Sequence, residues 1–215
     1  MRIALAALMT LAFAACTKPP SQGAPSSASP GPSPVAPSAK PHESLPALPP
    51  NTAATIYDLE VPLQDQAGRT VKLDLYRGHP VLISMFYGSC PAACPLLISD
   101  LKNIVATIPE STRADLRVLL VSFDPDGDNV AHLQELITAH GVDQTRWTMA
   151  RTDPDRVREL AAVLGIKYRK LPDGSFNHSS VVTLLDRQGR ITTRLEGLKQ
   201  PPDPIVAALG ALAQR

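Results

Sequence analysis

The apolar run Val81-Leu82-Ile83-Ser84-Met85-Phe86-Tyr87 breaks off, and three residues later the chain reads Cys90-Pro91-Ala92-Ala93-Cys94-Pro95. A buried strand thus hands the chain to a turn or helix that carries two sulfurs. The spacing has one residue more than the redox C-x-x-C pattern. On a helix, positions i and i+4 share a face, with Cβ atoms about 5–6 Å apart. Two thiolates so placed could grip one soft metal ion. They could also close a disulfide, because a Cα separation of roughly 6 Å is permitted. Where the helix begins is open. Pro91 suits a first helical position, but Pro95 would then cost a hydrogen bond; alternatively Cys94 caps a helix whose first residue is Pro95. Both placements put the sulfurs near backbone N–H groups, which favour the thiolate.

The remaining pattern supplies a frame for this segment. Ile56–Leu63 and Thr70–Leu75 alternate around Asp65-Gln66-Ala67-Gly68 and read as a hairpin. Val81–Phe86 and Leu116–Phe123 are buried strands, and Arg146–Ala150 is a short one. Helical spacing covers 95–108, with Leu97, Leu101, Ile104 and Val105 on one face, and 130–139, with Asp128 or Asn129 as cap. Asp153-Pro154 opens a third helix that Gly165 stops. Lys167–Arg169 is extended, Ser180–Leu185 and Ile191–Leu195 form a hairpin around Asp186-Arg187-Gln188-Gly189, and a helix over 204–212 closes the domain. A strand, a cysteine pair and a helix within a β-α-β frame predict an α/β, thioredoxin-like mixed sheet flanked by helices, with an added N-terminal β-hairpin.

The N-terminal third has a different character. Arg2 precedes an apolar or small stretch from Ile3 to Ala15, too short for a membrane span and suited to a secretory signal over residues 1–15. Its end, Leu11-Ala12-Phe13-Ala14-Ala15-Cys16, resembles a bacterial lipobox, although Phe13 replaces the usual Leu. That expectation is cleavage before Cys16 and lipid attachment to it; the rival is simple cleavage after Ala14. With Cys16 lipidated, only Cys90 and Cys94 of the chain's three cysteines remain as thiols. Residues 16–50 hold half of the 22 prolines, mixed with Ala and Ser, and read as a semi-stiff linker from a membrane anchor. At ~3.1 Å per residue it would reach on the order of 100 Å. Residues 51–215 are one domain's length. A formal net charge of +1 without a basic run gives no support to nucleic-acid binding.

A third ligand would turn the thiol pair into a metal site. His42 lies in the linker, His79 precedes Pro80 at a strand entrance, and His132 and His140 fit a solvated helix face. His178 differs: it stands in a loop, in Phe176-Asn177-His178-Ser179-Ser180, immediately before the strongest strand. In thioredoxin-like folds that loop faces the cysteines, although no proline occupies its usual place here. Two thiolates and an imidazole suit copper, as Cu(I) through sulfur and as Cu(II) with the imidazole added. Structural zinc wants four protein ligands. A structural disulfide is a poor alternative, since a five-residue loop gains little chain entropy.

Three motifs in order carry a family resemblance: Cys90-Pro91-Ala92-Ala93-Cys94-Pro95, then Val121-Ser122-Phe123-Asp124-Pro125-Asp126-Gly127-Asp128, then Asn177-His178-Ser179-Ser180 with Leu184-Leu185-Asp186-Arg187-Gln188-Gly189. Over roughly 55–213 the chain resembles the SCO/SenC family of copper-binding, thioredoxin-like assembly factors for cytochrome c oxidase. The resemblance implies copper ligands at Cys90, Cys94 and His178, and an aspartate linked to partner contact at Asp124. It implies copper delivery to, or disulfide reduction at, the dinuclear copper centre of oxidase subunit II. The signal and lipobox, for their part, predict a domain lipid-anchored on the periplasmic side of a bacterial membrane, the alternative being a soluble periplasmic one. Asn177 stands where Asp is common, which removes a negative charge beside the histidine. The alternatives are a periplasmic thiol–disulfide oxidoreductase and a general copper-binding protein.

Other signals are weaker. Asp124, Asp126, Asp128 and Glu135 match part of a calcium-loop template, but Asn129 occupies its glycine position, and a turn with a helix cap accounts for them. Met85 and Met149 lie in apolar strands and are expected in the core. No local signature of a Cys–His hydrolase is present.

Overall fold

The computed structural model describes residues 55–214. Its main sheet has seven strands in the order β2-β1-β5-β4-β3-β8-β9. These are β1 (Pro62–Asp65), β2 (Thr70–Lys72), β3 (Val81–Phe86), β4 (Arg117–Ser122), β5 (Trp147–Arg151), β8 (Val181–Leu185) and β9 (Ile191–Glu196). A separate two-stranded ribbon pairs β6 (Tyr168–Lys170) with β7 (Phe176–His178). The helices are α1 (Ala93–Thr107), α2 (Glu110–Arg113), α3 (Val130–Ala139), α4 (Pro154–Leu164) and α5 (Asp203–Ala213).

Strands β3, β4 and β5 run parallel, joined by crossovers through α1 and α3, while β8 returns antiparallel beside β3. Every residue of β3 is buried, as the unbroken run from Val81 to Phe86 requires of a central strand covered on both faces. Helix α1 packs against α5, and its Lys102 Nζ donates to the His140 carbonyl at the end of α3 at 3.0 Å. The expected mixed sheet flanked by helices is therefore present, with the β1–β2 hairpin added at its edge beside β5.

Several local expectations are corrected. Residues Ile56–Asp58 form a 3₁₀ turn, not the start of a strand: the Thr55 N–H donates to Asp58 at 2.7 Å and the Ile56 N–H donates to the Gly189 carbonyl at 2.9 Å. The second hairpin strand stops at Lys72, because Leu73 and Tyr76 both turn inward at a spacing of three. Helix α2 went unread; none of its four residues is buried, so no apolar period marks it. The segment around His178, expected as a loop, is strand β7.

Candidate metal centre

The first half of the site is built where β3 meets α1. Tyr87 continues the buried line of the strand, and the Cys90 N–H donates back to the Tyr87 carbonyl at 3.3 Å, closing a turn. Helix α1 then starts at Ala93 with Ala92 as N-cap, so Cys90 precedes the helix and Cys94 lies in its first turn. The i, i+4 helical face is not the arrangement. Nor does Cys94 cap the helix. Pro95 falls at the third helical position, where an N–H has no intrahelical acceptor in any case, so both prolines are accommodated without a lost bond. Ala92 has no side chain able to cap, and the free N–H groups of this end are available to sulfur.

The two thiols are free and buried, and their environments pull them apart. For Cys90, burial pushes the pKa up. Hydrogen bonds from the Ala92 and Cys94 N–H groups, the Cys94 thiol and the Tyr87 hydroxyl outweigh it and hold the thiol below its ordinary value. For Cys94, burial dominates and pushes the pKa up to about 12; the Tyr87 N–H opposes this, while Cys90 and Asp128 add to it. The Tyr87 N–H lies 3.4 Å from the Cys94 Sγ. Cys90 is thus the more acidic thiol of the pair, and Cys94 the one that holds its proton more tightly.

The second half is the β6–β7 ribbon. In its register Tyr168 opposes His178 and Arg169 opposes Asn177. The ribbon is held down by an aromatic cluster centred on Phe123, whose ring lies 5.4 Å from Tyr168, 5.2 Å from Phe176, 4.9 Å from His178 and 5.3 Å from Tyr87. Tyr87 also meets His178 edge-on at 5.8 Å, so the residue that ends the cysteine strand touches the histidine directly. Lys170 ties the ribbon down at its other end, with Nζ 3.3 Å from Asp124 and 5.2 Å from the Phe176 ring centre.

His178 Nδ1 lies 3.2 Å from the Ser179 carbonyl oxygen. A carbonyl only accepts, so Nδ1 carries the hydrogen and Nε2 is left with a free lone pair. One ligand atom each from Cys90, Cys94 and His178 lie within 4.8 Å of one another, the sole such group of three among the described residues. The three residues singled out from the sequence are brought together. Two soft sulfurs and one imidazole nitrogen are a donor set for copper in either oxidation state.

Asp124 is nearly buried and spent on Lys170, so it anchors the ribbon more than it faces solvent. Cys16 lies outside the described residues, as do His42 and the linker. The acidic run is no calcium loop: Asp128 is buried, its two oxygens accept the Gly88 N–H at 3.1 and 2.9 Å, and it also accepts the Ser122 hydroxyl. Asn129, not Asp128, caps α3, accepting the His132 N–H at 3.0 Å. His132 is only partly solvated, with Nδ1 3.0 Å from Asp128. Sequence reading named Asp128 only as a possible cap and as part of the acidic run, and missed both its hold on the turn before Cys90 and the Gly88 it binds. A side chain at Gly88 would run into Asp128, His132 and Leu136, so the turn that presents Cys90 needs glycine for close approach. The only available signal was a polar residue following a buried strand. Met85 and Met149 are core, as expected.

Comparison with known proteins places this geometry. The SCO1/SenC family model matches residues 51–214. An SCO2-like protein of Rickettsia prowazekii is 25% identical over 134 residues, covering 60% of this chain and 63% of its own length. The matched region thus spans less than two thirds of that relative. The copper-bound structure of ScoI from Bradyrhizobium japonicum aligns with a TM-score of 0.60 and 22% identity, over 71% of this chain and 96% of that one. BsSco, described as carrying a disulfide switch and as a member of the Sco family of cytochrome c oxidase assembly proteins, aligns with a TM-score of 0.61 and 20% identity, over 71% of this chain and 90% of that one.

Proposed function

This chain belongs to the SCO1/SenC family, and on that premise we propose that it is a copper-binding assembly factor for cytochrome c oxidase. Its task is to deliver copper to, or to reduce the disulfide of, the dinuclear copper site of oxidase subunit II. The observation that carries the reading is the meeting of Cys90, Cys94 and His178, from a strand–helix turn and a ribbon more than eighty residues away, with ligand atoms within 4.8 Å of one another. The similarity to a copper-bound ScoI and to a member of an oxidase assembly family supports the cargo and the destination.

In this reading the protein's own groups do distinct work. Cys90, the more acidic thiol, is the first to meet incoming metal. Cys94 gives up its proton only when metal or a disulfide partner claims the sulfur. His178, fixed by its Nδ1 hydrogen bond, offers Nε2. Ligand exchange with a second set of thiolates would pass the copper on. The thiol asymmetry also favours a second reading, a thiol–disulfide reductase: Cys90 attacks a target disulfide and releases one target thiolate, then Cys94 attacks the mixed disulfide and releases the other. The target gains two electrons and the Cys90–Cys94 pair becomes a disulfide.

Copper titration of the reduced protein, followed by absorption and paramagnetic resonance, tests the site. One equivalent should bind, with sulfur-to-Cu(II) bands lost in each of Cys90→Ser, Cys94→Ser and His178→Ala. A stoichiometry far from one, or bands that survive His178→Ala, would leave only the dithiol chemistry. We place the domain on the periplasmic side of a bacterial membrane, anchored through a lipid on Cys16; radiolabelled palmitate should enter the wild type and not the Cys16→Ser chain.

A further inference from the structure

The net charge of +1 hides a local concentration. Residues 167–179 carry Lys167, Arg169 and Lys170 against Asp173 alone, so this ribbon holds a formal +2 when the whole chain holds +1. Tyr168 and His178 face the aromatic cluster. Side chains alternate along a strand, so Arg169 and its opposite number Asn177 face outward, and Lys167, two residues from Arg169, lies on the same side. Lys170 is spent on Asp124. Lys167 and Arg169 are exposed and join none of the ion pairs among the described residues. With Asn177 and His178 they line an open cleft of about 390 Å³, so the two unpaired cations border the strand residue whose ring turns inward to the metal centre. On the other side of the site, Pro91, Ala92 and Pro95 are exposed and uncharged, and Leu96 is exposed to 38%.

We propose that the outer face of the β6–β7 ribbon is an electrostatic docking site for an acidic protein surface, which it orients so that the partner's sulfurs meet Cys90 and His178. The inference rests on the reading of these residues as a site that exchanges ligands or electrons with a protein partner. Opposite charge at a rim steers encounter and fixes orientation more than it adds affinity. The apolar patch around Pro91 and Leu96 then covers the reacting atoms once the acidic rim has engaged. Positive residues on an edge ribbon also discourage self-pairing, but that role does not call for unpaired cations in a cleft shared with His178.

The test uses three short disulfide-bridged peptides, flanked by glutamates, by lysines or by neutral residues, and the reduced chain carrying Cys16→Ser. Cys90 attacks the peptide S–S bond, Cys94 completes the exchange, and the peptide leaves as a dithiol while the protein is oxidised. The glutamate peptide should oxidise the protein about tenfold faster than the lysine peptide at ~20 mM ionic strength, with the gap closing to under about twofold at ~300 mM. Lys167→Glu with Arg169→Glu should reverse the preference, and Lys167→Met with Arg169→Met should abolish it, with the neutral peptide unaffected in both. Equal rates for the charged peptides, or a preference untouched by the substitutions, would overturn the proposal. So would cosedimentation with phosphatidylglycerol vesicles that only the wild-type ribbon supports, which would give these cations to a membrane. So would self-association as the sole effect of charge reversal. Copper titration of the same proteins keeps the two readings separate: copper bound without charge preference sinks the docking site alone, and charge preference without copper sinks the copper reading alone.

Discussion

The candidate metal centre is made of two regions with opposite construction. The cysteine side stands at the end of β3, a strand buried at every position, and passes through one hydrogen-bonded turn into the fifteen-residue helix α1. The histidine side is a ribbon of two three-residue strands outside the main sheet, with no residue of either strand fully buried. One half is fixed by the core. The other is laid on top and held by contacts to Phe123, Tyr87 and Asp124. The donors of the proposed site thus come from two separately built supports, and a change in the seating of the ribbon need not disturb the main sheet. In the proposed centre the sulfurs would be the fixed donors and the imidazole the donor whose seating depends on the ribbon.

The sharpest way to break this contrast is to remove the contact between the halves. Phe123 touches four other rings and is buried. Phe123→Ala should cost about 3–5 kcal/mol in stability, the range for truncating a buried Phe, and should also free the ribbon. Urea denaturation measures the first effect; weakened Cu(II) charge-transfer bands in the folded protein measure the second. Full-strength bands would mean that the ribbon stands without the cluster.

Removing the imidazole itself comes next. His178→Ala should weaken Cu(II) binding by about a hundredfold or more, beyond the range seen for residues that merely support a metal ligand, while Cys90 alkylates at its wild-type rate. Copper titration and iodoacetamide kinetics on one preparation read both. On the cysteine side, Asp128→Asn should cost about 1–3 kcal/mol, since the Gly88 N–H and the Ser122 hydroxyl lose part of a shared buried acceptor. Its effect should fall on the turn that presents Cys90 and leave protease resistance of the ribbon unchanged.

The same contrast explains what could be read from the sequence. Strand β3, the parallel strand β4 beside it and helix α1 were legible because burial imposes an apolar run or a helical period over six to fifteen residues. Cys90 and Cys94 were placed by their position after such a run. His178 was identified by its neighbours and its motif, but its strand was not, since three residues of mixed exposure carry no period. The role of Asp128 was invisible for another reason: a buried carboxylate is defined by what it accepts from, here the Gly88 turn forty residues earlier, and one sequence says nothing of that. The expected strand Thr70–Leu75 ran too far because Val71, Leu73 and Leu75 alternate as a strand would, whereas Leu75 is exposed and Leu73 and Tyr76 are the residues that turn inward.

The thiols differ enough for pH to separate them. Cys90 lies below the ordinary thiol value, so its alkylation should persist under conditions where a free cysteine, with a pKa of about 8.5, has stopped reacting, and should fall only as pH drops through its own lowered pKa. Cys94, pushed up to about 12, is still protonated at neutral pH and must lose that proton to bind metal. Copper affinity should therefore rise with pH, about tenfold per unit while one proton is displaced, and more steeply below the Cys90 pKa, where two are displaced. In Cys94→Ser the slope near neutrality should flatten. An affinity independent of pH in the wild type would contradict the asymmetry.

The smallest effect is expected at the ion pair between ribbon and body. Lys170 Nζ sits 3.3 Å from Asp124, with the lysine side chain 54% exposed and the aspartate 12%. Solvent screens a pair of that exposure, so Lys170→Met should cost under about 1 kcal/mol and keep most of the aliphatic packing over Phe176. Copper affinity should then fall by less than about fivefold, the equivalent of that energy at 1.4 kcal/mol per factor of ten. The measurement matters because it assigns the hinge. If the ribbon is seated by its rings, Phe123→Ala is severe and Lys170→Met nearly silent. A Lys170→Met chain that loses Cu(II) as fully as His178→Ala would show that charge, and not aromatic packing, positions the imidazole. Salt would then release the histidine, and the two halves of the site would be joined through Asp124 in place of Phe123.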